Sequence, residues 1–315
     1  MTVAAGTRGI LPLSLTRTTS GKRFLLRPRS YNLGMLFQQI TIVGVGLIGG
    51  SVGLAAKARG VAGRVVGVDR DPGTIARAVA LGALDAGGTD LAEGVAGSGL
   101  VVVCTPVDRI ADVIVAAAPL AQPGTLFTDG GSTKAGIVDA VRGRLPAGVD
   151  YVPAHPLAGS EKSGAEHGRA DLFQNRVTAV VMSPFGAGWE RTVAVGRFWE
   201  ALGSRVVLMN AEEHDRTIAF TSHMPHAVAS AVAGVTHSDW LKVTAGGFRD
   251  VTRVAAGDPE LWAAIFEANR DATLAALAAF SARLAEFRTL LDAGDHAGLV
   301  RWLTEGKQVR DALGT

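Results

Sequence analysis

Residues 38–69 read QQITIVGVGLIGGSVGLAAKARGVAGRVVGVD. The opening apolar run is a buried strand that flows into Gly44-x-Gly46-x-x-Gly49, and LIGGSVGLAAKARG continues as a helix with Gly60 as its C-cap. RVVGVD, residues 64–69, is a second apolar strand. A glycine triplet between strand and helix lets the chain turn tightly, approach a pyrophosphate with bare backbone, and pack helix on strand. The phosphates of a dinucleotide then sit at the first helical turn, over Leu47, Ile48 and Gly49. Asp69 closes the second strand about 20 residues beyond Gly49, where an acid receives ribose hydroxyls. A carboxylate there repels a 2′-phosphate, which predicts NAD over NADP. The neighbouring Arg70 is the residue that could pair with such a phosphate.

The alternation continues outward. DPGTIARAVALG (71–82) has an Asp N-cap, Pro72 at the first helical position and a terminal glycine. SGLVVVCTP (98–106), GTLFTDGGS (124–132) and VDYVPAHP (149–156) read as further strands, and Thr105-Pro106 as the loop against which the cofactor lies. Strands alternating with helices give right-handed βαβ units, hence an α/β fold with a doubly wound parallel sheet. TAVVMSP (178–184) and SRVVLMN (204–210) are expected to extend that sheet, with Trp189, Phe198 and Trp199 as core residues. After Asn210 strand signals nearly vanish. Asn210 with Glu213 three positions on is a capping-box-like helix start, and Asp258-Pro259-Glu260 marks another. The helix that follows carries Leu261, Ile265, Leu274, Leu277, Phe280, Leu284 and Phe287, a broad apolar face that a second subunit would cover. The expected organisation is a disordered basic leader over 1–37, an NAD-binding domain over 38–210 and a helical domain over 211–315.

Of the 315 residues 48% are hydrophobic, enough for a sizeable core, yet no run approaches the roughly 18 apolar residues of a membrane span. The first 38 residues hold six basic residues and no acid, which leaves 25 basic against 29 acidic residues in the remainder. A mildly acidic folded part argues against a nucleic-acid surface. The acid-free leader has transit-peptide composition, but the Ala/Gly/Val-rich chain favours a plain extension or a true start at Met35. The absence of a secretory h-region and the single Cys104, read as a small buried hydrophobe, fit a reducing cytoplasm.

Two segments carry reactive side chains, DGGSTK (129–134) and HPLAGSE (155–161). The His-Pro pair followed by small residues suits an active-site loop. Both follow strands of a dinucleotide fold, at the edge where open α/β sheets bind ligands. Ser132 and His155 are thereby placed to share one substrate hydroxyl. Oxidising a carbinol sends a hydride to a nicotinamide and a proton to a base, and imidazole, with a pKa near 6.5, suits that base.

GVGLIGGS (44–51), DGGSTK, HPLAGSE, EEHDRTIAFTSHMPH (212–226) and GGFRDVTRVA (246–255) occur in this order. Together they resemble the prephenate dehydrogenase family, including its arogenate-using relatives, over residues 38–312. The resemblance implies a Rossmann-like domain followed by a helical dimerisation domain, hence a homodimer. It implies NAD-dependent oxidative decarboxylation of prephenate to 4-hydroxyphenylpyruvate, with arogenate as the alternative substrate. His155 would deprotonate the C4 hydroxyl and Ser132 would hold it. Arg253 would bind a substrate carboxylate, restrained by Asp250 one turn earlier. His226 and Trp262 would line the substrate pocket, and Glu161 would close it by pairing with a cation.

A β-hydroxyacid-type dehydrogenase would use a lysine on the helical side, where Lys242 alone stands between residues 163 and 306. A non-catalytic NAD-binding protein would need neither His155 nor Ser132. His214, His223, His226, Glu212 and Glu213 lack metal-ligand spacing and read as pocket lining or structural hydrogen-bonding groups.

Overall fold

The computed structural model describes residues 34–159, 162–182 and 188–314, together with two backbone strands ahead of them. In chain order the strands are β1 (Leu15–Arg17), β2 (Phe24–Leu26), β3 (Phe37–Val43), β4 (Ala62–Val68), β5 (Ala86–Gly88), β6 (Leu100–Val103), β7 (Leu126–Asp129), β8 (Asp150–Tyr151), β9 (Ala154–Pro156), β10 (Val177–Val181) and β11 (Arg205–Met209). Two compact units form. One comprises the residues up to Asp215 with Ala256–Ala268; the other comprises Arg216–Ala255 and Asn269 onward.

The first unit contains a six-stranded sheet in the order β5-β4-β3-β6-β7-β8, parallel throughout. The order reverses between β3 and β6, which opens a crevice beyond their carboxyl ends. Val43 pairs with both Val68 and Val103, and Val103 pairs with Asp129. Gly44, Asp69, Cys104 and Gly130 therefore leave the sheet along one edge. The strands are apolar on both faces because helices cover both. Leu100 and Val102 join one buried cluster, and Val101 and Val103 the other. Helix ends follow local chemistry. Asp71 accepts the N–H of Gly73 and Thr74, Asn210 that of Glu213 and Asp258 that of Leu261.

The strands expected to lengthen this sheet instead make a second one, in the order β1-β2-β11-β10-β9. β10 runs parallel to β11 and antiparallel to β9. VDYVPAHP is split between the sheets. Tyr151 belongs to β8, Ala154 to β9, and Pro153 between them has no N–H for a ladder. His155 thus stands in an edge strand opposite Ala179, and the loop begins at Leu157. The extended dihedrals that Pro156 imposes on His155 are those of a strand, and an edge tolerates the proline. The leader supplies β1 and β2, which pair with each other, and β2 pairs in turn with β11, so these six residues depart from the disordered reading. Their backbone completes an edge that β11 leaves open, which charge composition does not report. Phe198 and Trp199 are core, but Trp189 is 47% exposed at the start of its helix, Trp189–Ala201.

The second unit is helical among its described residues, with Met224–Gly234, Gly246–Thr252, Arg270–Asp292 and His296–Asp311 as its helices. The long helix expected after Asp258 is two, Pro259–Ala268 and Arg270–Asp292. Asn269 between them leaves helical dihedrals, and its buried side-chain amide meets His223 Nδ1 at 3.1 Å. Pro259–Ala268 belongs to the first unit, where Ile265 is buried among Val43, Val103 and Phe127.

Candidate active site

The glycine turn shows what each glycine does. Gly44 has φ +89°, and a Cβ there would lie 2.7 Å from the Thr105 nitrogen. A Cβ on Gly49 would lie 2.1 Å from the Gly44 carbonyl oxygen, so helix and turn touch backbone to backbone. Gly46 is different: a Cβ there meets nothing within 4 Å. That open side lies at the N-terminus of the helix Leu47–Ala58, which has no side-chain cap. Leu47 and Ile48 are half-buried in its first turn. Bare N–H groups beside open space fit a pyrophosphate. Asp69 is half-buried and accepts the N–H of Val45 at 2.9 Å and of Asp71 at 3.1 Å, which aims its carboxylate along the same edge. Arg70 is exposed. The Thr105 hydroxyl is buried and has no hydrogen-bond partner among the described residues, a second polar atom suited to a ligand. Pro106 is exposed and leads into the turn Val107–Arg109.

Beside this edge, the DGGSTK segment is held from within. Asp129 is fully buried and accepts the Gly131 N–H (2.9 Å), the Tyr151 hydroxyl (2.9 Å) and the Ala154 N–H (3.0 Å). It also pairs with the fully buried Lys134 ammonium. Burial and the Asp129 charge push the Tyr151 hydroxyl well above its ordinary range and raise the Cys104 thiol, which stays an unreactive SH. Asp129 and Lys134 are thus structural, and Ser132 between them is half-buried.

His155, only 9% exposed, places Nδ1 2.9 Å from His214 Nε2. His214 in turn places Nδ1 2.7 Å from Asp215 Oδ1. Asp215 accepts the backbone N–H of Lys134 at 2.7 Å and of Ala135 at 2.8 Å. The helix Ala211–Ile218 is therefore tied to the DGGSTK segment at one end of this chain of contacts and to β9 at the other. Burial lowers the His214 pKa against the opposing pull of Asp215. For Asp215 burial acts upward, but the His214 contact and the two amides outweigh it and hold the carboxyl below its ordinary range. Sequence reasoning gave His214 no specific role, and Asp215 none. The His-Asp pair after a capped helix start was the available signal.

The remaining expected residues are placed as follows. Trp262 lies in the first unit, half-buried, with its ring 5.6 Å from that of Phe266. In the second unit His226 is buried on Met224–Gly234, and burial lowers its pKa. Arg253 is exposed at the start of the turn Arg253–Ala256. Asp250 is exposed on Gly246–Thr252; that helix ends between the two, and no ion pair joins them among the described residues. Glu161 lies outside the described residues. Among the described residues no three His, Cys, Asp or Glu side chains group as a metal site.

Residues 52–208 match the family pattern described as prephenate dehydrogenase, nucleotide-binding domain, and residues 210–305 match prephenate dehydrogenase, dimerization domain. A cyclohexadienyl dehydrogenase of Zymomonas mobilis is 35% identical over 288 residues, 89% of this chain and 97% of that protein. A prephenate dehydrogenase of Bacillus subtilis is 33% identical over 285 residues, 87% of this chain and 76% of that protein. A solved structure of an Aquifex aeolicus prephenate dehydrogenase, in complex with hydroxyphenyl propionate and NAD+, superposes with TM-score 0.81 at 30% identity, covering 88% of this chain and 98% of that one.

Proposed function

This chain belongs to the prephenate dehydrogenase family, and we propose that it converts prephenate to 4-hydroxyphenylpyruvate by NAD-dependent oxidative decarboxylation. The observation that carries the reading is the shared sheet edge. The glycine turn, Asp69 and the Thr105 hydroxyl leave the carboxyl ends of β3, β4 and β6 where the DGGSTK segment leaves β7. Bound at this edge, NAD supplies the hydride acceptor. The N–H groups of the first helical turn would hold its pyrophosphate, and Asp69 would receive its ribose hydroxyls.

The chain's own residues have a limited task, because aromatisation of the ring provides the drive. His155 takes the proton of the C4 hydroxyl, which raises electron density at C4 as the hydride departs, and returns it to the phenolic product. Ser132 holds the same hydroxyl in line. The C–C bond to the ring carboxylate then breaks, its electron pair passes into the ring to make the phenolate, and the carboxylate leaves as carbon dioxide. The proton on His155 completes the phenol, so the overall conversion needs no external acid. Arg253, His226, Trp262, Asp250 and Glu161 are assigned to substrate binding by motif alone. The buried, neutral His226 suits an uncharged hydrogen bond better than a charge pair.

The match to a dimerization domain supports a homodimer through the helical half. Leu274, Leu284 and Leu291 on Arg270–Asp292 are each more than half exposed and would be covered in it. Among the described residues no helix is long and apolar enough to cross a membrane, and we place the enzyme in the cytoplasm.

Steady-state kinetics of the purified chain with prephenate and with arogenate, each with NAD and NADP, tests the reading. Prephenate with NAD is expected to give the highest kcat/KM. The similarity to a cyclohexadienyl dehydrogenase makes arogenate the second substrate to measure. Absence of reduced cofactor from every pair would overturn the proposal. His155→Asn should abolish most turnover and leave NAD affinity intact; equal loss of both would remove His155 from the role of base.

A further inference from the structure

An imidazole acts as a base only at the ring nitrogen without a proton, so a catalytic histidine must be held in one tautomer. We infer that His214 and Asp215 are positioning residues that hold His155 with Nδ1 protonated and Nε2 basic. The inference rests on the reading of His155 as the base. It follows from donors and acceptors taken in order from the fixed end.

Asp215 is that end. Its two oxygens accept backbone N–H groups of Lys134 and Ala135, at the start of the helix Ala135–Val141. Backbone N–H can only donate, so both oxygens accept, and these amides with the His214 contact hold the carboxyl below its ordinary range, which favours the carboxylate. His214 Nδ1, 2.7 Å from Oδ1, must then carry its proton. His214 has no exposed surface, and burial lowers its pKa, which favours the neutral form. A neutral imidazole with its proton on Nδ1 has a lone pair on Nε2. That lone pair faces His155 Nδ1 at 2.9 Å, and the proton between the two must come from His155. The rings are turned 64° from one another with centroids at 5.1 Å, a separation compatible with an N–H of one ring aimed at a nitrogen of the other. The basic nitrogen of His155 is therefore Nε2.

An acid behind a histidine fixes tautomer and orientation in hydrolase triads, and here one extra imidazole stands between acid and base. The arrangement also has a charge consequence. When His155 becomes an imidazolium, its Nδ1–H bond strengthens against a His214 polarised by Asp215. Among the described residues, the other charged groups acting on His214 are Lys134, which opposes a proton there, and Asp129, which favours one. Protonation of His214 would leave His155 facing a donor, so the acid limb of the rate profile belongs to the pair.

Nitrogen NMR of the histidine-labelled wild-type protein reads the tautomers without substrate, with His155→Asn and His214→Phe assigning the signals. Both histidines should show a protonated Nδ1 and an unprotonated Nε2. In His214→Phe, kcat should fall about 100-fold or more, the acid limb of kcat/KM should move to lower pH, and the KM for NAD should change little. Glutamine can accept from His155 through its carbonyl and donate to Asp215 through its amide. His214→Gln should therefore recover at least about tenfold over the phenylalanine variant. An unprotonated His155 Nδ1 in the wild-type protein overturns the inference, as does a phenylalanine variant within threefold of wild-type kcat. If the wild-type protein forms no NADH from either substrate, the functional reading falls while the NMR result still decides the tautomer.

Discussion

Two alanine substitutions in the glycine turn separate its packing role from its ligand role. In Gly49→Ala the new methyl would stand 2.1 Å from the Gly44 carbonyl oxygen and 3.0 Å from Ile42 Cγ2. The nearer atom is backbone, so no rotamer change relieves the contact. Ordinary contact begins near 3.4 Å, and helix and turn must part by about 1.3 Å. Overpacking of this kind costs about 2 kcal/mol, or about 6 °C in thermal midpoint for a domain of this size. The same movement carries the first helical turn away from the pyrophosphate. A hydrogen bond of about 2.9 Å lengthened by 1 Å is no longer one. Losing two charge-assisted bonds at about 1.5 kcal/mol each weakens NAD binding about 100-fold.

Gly46→Ala is the counterpart. Its methyl meets no protein atom within 4 Å, and φ of −83° is open to alanine. The folded protein should lose no more than about 1 kcal/mol, the usual cost of alanine at an N-cap. The methyl points where the pyrophosphate must come, so NAD affinity should still fall about tenfold or more. Calorimetric titration with NAD and scanning calorimetry of both variants test the pair. Wild-type NAD affinity in Gly46→Ala would refute the close approach of cofactor to that backbone. An unchanged midpoint in Gly49→Ala would refute the packing argument.

Arg253→Gln should raise the KM for prephenate at least about tenfold with kcat within a few-fold, since one carboxylate contact of roughly 1.5–3 kcal/mol is lost; an unchanged KM moves the anchor elsewhere. Lys134→Met strands the Asp129 carboxylate in a fully buried site and should cost about 3–5 kcal/mol in denaturant unfolding, with Asp129→Asn added in the same chain recovering part of it. Burial raises the Glu200 carboxyl to about 7 against the pull of Arg197, so this acid loses stability as pH rises from its unfolded value of about 4.5 through 7. Glu200→Gln should stabilise the protein by about 2 kcal/mol at pH 8, allowing for partial exposure, and by nothing at pH 4; equal gains at both would exclude ionisation as the cause.

The glycine turn was readable in the sequence because its constraints fall on residue identity. A φ of +89° at Gly44 and a 2.1 Å approach at Gly49 admit glycine and little else. Caps at Asp71, Asn210 and Asp258 were readable for a similar reason, since each acts within three residues of itself. The second sheet was not readable as such. TAVVMSP and SRVVLMN have the same apolar text as the first-sheet strands, and they join the second sheet through β9, where the chain after β8 changes sheets at Pro153. Nor was the break at Asn269, whose partner His223 is 46 residues away.

The bracing of His155 illustrates the limit most clearly. His155 itself is conspicuous, because a histidine before a proline and small residues is uncommon in core text. Its support runs through His214 and Asp215 to the N–H groups of Lys134 and Ala135, which lie 81 and 80 residues from Asp215 in the chain. Those donors are backbone, and a backbone donor leaves no mark on residue type. A side chain that acts on substrate is constrained to one kind of residue. A side chain anchored to main chain is constrained only by where the fold brings that main chain, so the base can be found from sequence before the groups that orient it.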